Sequence, residues 1–245
     1  MPRADRTSAP ASATPSGAFG RPRQKARAPS LVHGIRLARP EFERRYALRP
    51  DLKKAELIEA IVRMPSPVSL AHSGPHATIQ GVLLVYSALT PGVRCDDNAT
   101  VRLDPDNEPQ PDVLLRIEPD AGGQSRVSAD DYIEGTPELV VEVAASSTSI
   151  DLHDKLRAYR RNGVREYVVW RTQERCIDWF ELADGDYRPL PADRDGVVCS
   201  RVFPGLRLAV TALLNGNLAE ALATTNRGID SPEHRRFVAA LAATP

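Results

Sequence analysis

Residues 139–145 read Leu-Val-Val-Glu-Val-Ala-Ala, a run bounded by Pro137 and by the cluster Ser146-Ser147-Thr148-Ser149, and its only charge is Glu142. Its length and valine content predict a buried strand. An ionised carboxylate in the middle of such a strand costs several kcal/mol unless a cation or a set of donors compensates it. Any fold open to this chain must bring a partner to Glu142.

A second acid opens another apolar run, in Gln110-Pro111-Asp112-Val113-Leu114-Leu115. Two acids near the ends of adjacent strands make an oxygen site suited to Mg²⁺, which keeps several waters and takes one or two protein carboxylates. Asp112 also fits a plain role as a turn residue after proline. In Asp151-Leu-His-Asp-Lys155-Leu-Arg-Ala-Tyr159, the residues Leu152, Leu156 and Tyr159 define one apolar helix face. Lys155 falls about 60° from the Leu152 direction, on the rim of that face, whereas Arg157 and Arg161 point largely away. Lys155 is the long cation of this helix best placed to lean toward Glu142. An ordinary helix pair with Asp151, worth about 0.3–0.5 kcal/mol, accounts equally for its sequence context.

The ordered set Pro111-Asp112-Val113, Pro137-Glu-Leu-Val-Val-Glu142-Val, Asp151 with Lys155 and Tyr159, and Gly163-Val-Arg-Glu-Tyr167-Val-Val-Trp170 resembles the Uma-two family of restriction-endonuclease-like proteins. That family belongs to the PD-(D/E)xK nuclease superfamily. The similarity runs from about Glu41 to Leu213, taking in Ala55-Glu56-Leu57-Ile58-Glu59 and Phe203-Pro204-Gly205-Leu206. The resemblance implies an α/β fold with a central mixed sheet flanked by helices, a metal on Asp112 and Glu142, and Glu56 as an additional acid from the first helical element. The lysine of a Glu-x-Lys motif would fall at Ala144, so Lys155 on the neighbouring helix takes that role. The implied chemistry is Mg²⁺-assisted hydrolysis of a phosphodiester, with Mn²⁺ as a substitute and without a covalent intermediate.

The chain has 245 residues, 42% of them hydrophobic, enough for one sizeable core. Its formal net charge of zero hides an asymmetry: residues 1–40 hold eight Lys or Arg against the single acid Asp5. Residues 1–40 are therefore expected to form a disordered basic tail, 41–213 the restriction-endonuclease-like domain, and 214–245 a C-terminal helical extension. The tail fits a phosphate-tracking arm, a solubilising extension, or an organelle transit segment. No apolar run is long enough to span a membrane. Cys95, Cys176 and Cys199, odd in number and widely spaced, suggest reduced thiols and a cytoplasmic protein. His72 and His76 sit four apart where a helix could begin, but no further zinc ligand follows them, which favours a surface or substrate-contacting role.

Elsewhere, a short helix is expected around Leu52–Leu57, a strand and turn through Ile61–Pro67, and a helix carrying Ile79, Val82, Leu83, Tyr86 and Leu89. Ala121–Ile133 reads as an exposed loop. Glu166–Trp170 and Cys176–Leu182 read as a hairpin, Asp184-Gly185 as a turn, Val197–Phe203 as a strand, and 210–223 and 231–242 as helices. Trp170, Trp179 and Phe180 suit either core packing or base stacking. Arg157, Arg160 and Arg161 suit either a solvated face or a grip on a DNA backbone. The reading these features favour is a Mg²⁺-dependent DNA endonuclease acting as a homodimer. A silent nucleic-acid-binding or interaction module of the same fold is the alternative, and a small-molecule binding domain the third.

Overall fold

The structure, a computed structural model, describes residues 30–244. Most of the expected basic tail lies outside the described residues. Its last ten residues belong to the packed body. Leu31 is buried with Phe42, Leu57 and Val62, and the Gly34 and Leu37 amides donate to the carbonyls of Val62 and Ala60.

The first helix, α1, spans Arg39–Tyr46, with Pro40 pre-setting its first turn, Glu41 near its N-terminus and Arg44 and Arg45 near its C-terminus. It buries Phe42. The strands β1 (Glu56–Ile58) and β2 (Ile61–Arg63) follow as an antiparallel hairpin. Here the structure corrects the expected helix around Leu52–Leu57. Glu59 and Ala60 both adopt positive φ, of 53° and 61°, giving the two-residue turn whose twist matches a hairpin. That conformation is unusual for residues with a Cβ. It is held because the Glu59 amide donates to Asn107 Oδ1 at 2.8 Å and the Ala60 amide to the Asp106 carbonyl at 2.8 Å.

The long helix α2, Leu70–Ala88, buries Ile79, Val82, Leu83 and Tyr86, while Leu89 just beyond it is exposed. Then come β3 (Val93–Asp97), β4 (Val101–Arg102), β5 (Val113–Ile117), β6 (Ser125–Val127), β7 (Ile133–Gly135) and β8 (Leu139–Ala144). The segment Ala121–Ile133 is thus not a plain loop, because β6 pairs with β7, which runs parallel to β4. A π-helical turn, Ile150–Lys155, leads into α3, Leu156–Arg161. After it lie β9 (Glu166–Arg171), β10 (Cys176–Ala183) and β11 (Asp186–Pro189). The chain then forms β12 (Val197–Cys199), shorter than the expected strand, and β13 (Arg207–Ala209). It ends in α4 (Val210–Leu214), α5 (Leu218–Ile229) and α6 (Pro232–Ala242). The helix expected over 210–223 is divided between α4 and α5 at Asn215–Asn217, where Gly216 takes a φ of +70°.

The central sheet has six strands in the order β11-β10-β9-β8-β5-β3, with β8 and β9 parallel and every other pair antiparallel. Side chains alternate across it. Leu139, Val141 and Val143 of β8 pack with Val113, Leu115, Val168 and Trp170 against α2 and the C-terminal elements. Val140 and Ala144 pack on the other side with Leu114, Val169 and Tyr159. Glu142 shares this second side. Trp170 and Trp179 are buried in the core, so neither stacks on an exposed base. Ala221 and Leu241, from the expected C-terminal extension, belong to the same core as α2.

The clamp between these terminal helices and the body is sterically tight. A Cβ on Gly228 would stand 2.0 Å from the Gly205 carbonyl oxygen, a backbone atom with no rotamer to yield. Gly228→Ala is expected to cost at least about 3 kcal/mol, the upper end of overpacking penalties, read as a lower urea midpoint at unchanged slope.

Candidate active site

The register of β5 on β8 pairs Val113 with Val141, Leu114 with Val140 and Leu115 with Leu139. One further step in the same direction brings Asp112 opposite Glu142. The Val143 amide fixes Asp112 by donating to its Oδ2 at 2.7 Å. Both carboxylates are buried, at 5% and 3% exposure.

Lys155 reaches the same point from the π turn. Its Nζ donates to Glu142 Oε1 at 2.8 Å and lies 3.0 Å from Glu56 Oε1 and 3.9 Å from Asp151 Oδ1. The helix pair with Asp151 is thus the longest of its three contacts, and Glu142 and Glu56 are the principal partners. π turns recur at functional sites, and this one buries both Asp151 and Lys155 while α3 continues to Tyr159. Tyr159 donates to Glu142 Oε1 at 2.7 Å, fixing the carboxylate that Lys155 touches.

Glu56 belongs to the site, but from β1 and not from a helix. The Gln110 amide donates to its Oε1 at 2.8 Å, tying it to the residues just before Asp112. Asp151 accepts the Ser147 hydroxyl at 2.5 Å. The four sequence-derived residues therefore converge, and Asp151 and Tyr159 join them. Spacing held the signal for these two, since they stand four residues before and after Lys155 on the same helical stretch.

Four buried carboxylates, Glu56, Asp112, Glu142 and Asp151, face one buried lysine. Lys54, partly exposed, adds a second cation 3.8 Å from Asp112 Oδ1. With every acid ionised the cluster carries a formal charge of −2. Burial pushes the Glu142 carboxyl up to about 8; Lys155 opposes the shift, and Asp112, Asp151 and Glu56 add to it. Burial likewise raises Asp151 despite Lys155 and Ser147. Glu56 also suffers burial, but Lys155, Lys54 and the Gln110 amide outweigh it and hold Glu56 below the usual carboxylate range. Burial by itself would lower Lys155, yet Glu142, Glu56, Asp151 and Asp112 together keep it well above an ordinary lysine.

Two acceptor atoms are left over. Among the described residues, Glu142 Oε2 receives no hydrogen bond, and Asp112 Oδ1 has only Lys54 at 3.8 Å and His72 Nε2 at 3.5 Å. A buried cluster with surplus negative charge and unfilled oxygens on two facing carboxylates fits a divalent cation. Its accessible border consists of Lys54, His72 and His76, whose side chains are 22%, 20% and 15% exposed. The arginines of α3 do not form a free cationic face. Arg157 pairs with Asp154, Arg160 with Asp186, and Arg161 with Glu59 and Asp104.

Residues 39–211 match the profile of the family described as "Uma2: Putative restriction endonuclease". The chain belongs to the Uma2 family. Among solved structures, this Uma2 chain has the fold of a protein described as "a putative nuclease belonging to DUF820" from Anabaena variabilis ATCC 29413. The TM-score is 0.55 at 15% identity, over 70% of this chain and 96% of that one. No curated protein matches it. The mixed sheet with flanking helices is the architecture the resemblance implies. No helix among the described residues is long and apolar enough to cross a membrane.

Proposed function

We propose that this Uma2 chain is a divalent-metal-dependent endonuclease that hydrolyses DNA phosphodiesters. The observation that carries the reading is the buried cluster of four carboxylates against two lysines, with unfilled oxygens on Asp112 and Glu142. Membership of a restriction-endonuclease family and a nuclease-like fold support the reaction class. Asp112 and Glu142 would hold the ion, Mg²⁺ with Mn²⁺ as substitute. Such an ion, when bound, withdraws charge from the phosphoryl oxygens and acidifies a coordinated water.

The protein's own groups divide the remaining work. Lys155, kept as an ammonium by its carboxylate neighbours, cannot serve as a general base. Its Nζ lies 2.8 Å from Glu142, 3.0 Å from Glu56 and 3.9 Å from Asp151, and its positive charge would orient a water or offset charge developing on the phosphate. Tyr159 and Lys155 together lock the Glu142 rotamer, and the Val143 amide does the same for Asp112. Glu56 fixes the lysine. Lys54 stands on the accessible border, where a phosphate would arrive. Cutting both strands in one encounter needs two such centres, so a homodimer is part of the proposal.

Calorimetric titration with Mn²⁺ tests the ion site separately from turnover. Asp112→Asn is expected to weaken binding by at least about tenfold, because the acid contributes charge as well as an oxygen. Equal binding by wild type and variant would remove Asp112 from the site.

A further inference from the structure

His72 and His76 stand four residues apart on α2 and so project from one face of the helix. Their ring centroids are 5.5 Å apart. The third ligand missing from their local sequence arrives from the sheet: one ligand atom from each of His72, His76 and Asp112 lies within 4.8 Å of the other two.

The hydrogen bonds around this trio say which atoms are available. His72 Nδ1 is 2.8 Å from the Val143 carbonyl, which can only accept, so Nδ1 carries a proton. The other ring nitrogen, Nε2, lies 3.5 Å from Asp112 Oδ1. That separation is close to the roughly 3.3 Å between two ligands of a tetrahedral ion with bonds of about 2.0–2.1 Å. His76 Nε2 is 2.7 Å from Asp97 Oδ1 and 3.0 Å from the Asp112 carbonyl. A cation bound at Nε2 would take the place of the proton there, which passes to solvent, and the exposed Asp97 carboxylate could move aside. The competing cation is Lys54, 3.8 Å from Asp112 Oδ1 but also hydrogen-bonded to Asn98 Oδ1 at 3.1 Å.

We propose that His72, His76 and Asp112 form a second metal position, selective for a borderline first-row ion such as Zn²⁺ or Co²⁺ over Mg²⁺. Two imidazoles and one carboxylate suit such ions, whereas Mg²⁺ takes oxygen ligands. The hydrogen bond to the Val143 carbonyl orients His72 as carbonyls orient ligating histidines elsewhere. Three protein ligands, the two histidines on the accessible border and the buried Asp112, leave a fourth place for water or a substrate oxygen. The position shares Asp112 with the two-carboxylate centre and does not require that centre to be active.

The test is titration of the full chain with Co²⁺, followed by the visible d–d bands of the bound ion and by calorimetry. Wild type is expected to take up Co²⁺ with a nitrogen-containing ligand field. His72→Ala and His76→Ala should each weaken Co²⁺ binding by at least about tenfold. His72→Gln, whose amide can still donate to the Val143 carbonyl, should show the same loss with the fold intact. Glu142→Gln should leave the nitrogen signature in place. No Co²⁺ binding by wild type, or binding unchanged in the histidine variants, would overturn the proposal. Binding lost in Glu142→Gln but kept in the histidine variants would also overturn it, placing the ion between Asp112 and Glu142 and leaving the nuclease reading standing. A nitrogen-rich Co²⁺ site in a chain that shows no Mg²⁺-dependent cleavage would support it while removing that reading.

Discussion

Lys155→Ala is expected to destabilise the protein by about 3–5 kcal/mol near neutral pH, the usual cost of removing one partner from a buried ion cluster. The loss comes from what remains. Glu142, Glu56 and Asp151 would face one another across the space now occupied by Nζ, with Lys54 at the border as the nearest cation. The size of the effect should depend on pH, with a sign the structure fixes. A carboxyl whose folded pKa lies above its unfolded value adds stability that is fully present below the unfolded value and is lost as pH rises through the folded one. Glu142 is already raised to about 8 with Lys155 beside it, and removing the ammonium raises it further. Glu142 therefore widens the gap between wild type and variant above about pH 8, while Glu56, which Lys155 helps hold below the usual carboxylate range, loses that support in the variant and makes the gap narrow below about pH 5. Urea titrations at the two extremes check this. Lys155→Met, which keeps most of the length without the charge, should follow the same pH trend; a deficit independent of pH in both variants would mean that packing, not charge, is what Lys155 supplies.

The second large effect runs the other way for stability. Glu142→Gln removes one negative charge from a cluster that carries a formal −2, yet the Gln carbonyl oxygen can still accept from Lys155 and Tyr159. The variant is expected to be at least as stable as wild type. Its cleavage rate should nevertheless fall by about 10²–10³, the scale of losing one electrostatic element from a hydrolytic centre. Activity exchanged for stability in this way is characteristic of a functional cluster of like charges, and a purely structural role for Glu142 would not show it.

The reach of the sequence differed from residue to residue. Glu142 was legible because a lone acid in a valine-rich strand demands a counter-charge, and Lys155 because helical spacing put it on the rim of the apolar face. Asp112 followed from the apolar run it opens. The hairpin at Glu56–Arg63 was not legible, since its turn puts Glu59 and Ala60 at positive φ and is held by Asn107, 48 residues further on. The π turn was equally hidden: a reading at 100° per residue cannot show that Asp151 and Lys155 are buried together. His72 and His76 looked incomplete because their third partner, Asp112, lies 36 residues beyond His76 and meets them only when α2 crosses the end of β5 and β8. Local sequence recovered β8, β9 and β10 of the central sheet; the convergence of distant residues belongs to the tertiary fold.

The measurement that bears most directly on the active centre is cleavage of supercoiled plasmid in Mg²⁺ or Mn²⁺ by wild type and Glu142→Gln, purified identically and matched for stability by urea titration. The expected result is nicked and linear product from wild type, with linear product formed without a lag if two centres act together, and almost none from the variant. Wild-type inactivity in both metals would contradict the hydrolytic reading and leave a silent interaction module with a nuclease fold. Equal activity in the two proteins would contradict the placement of the centre at Glu142.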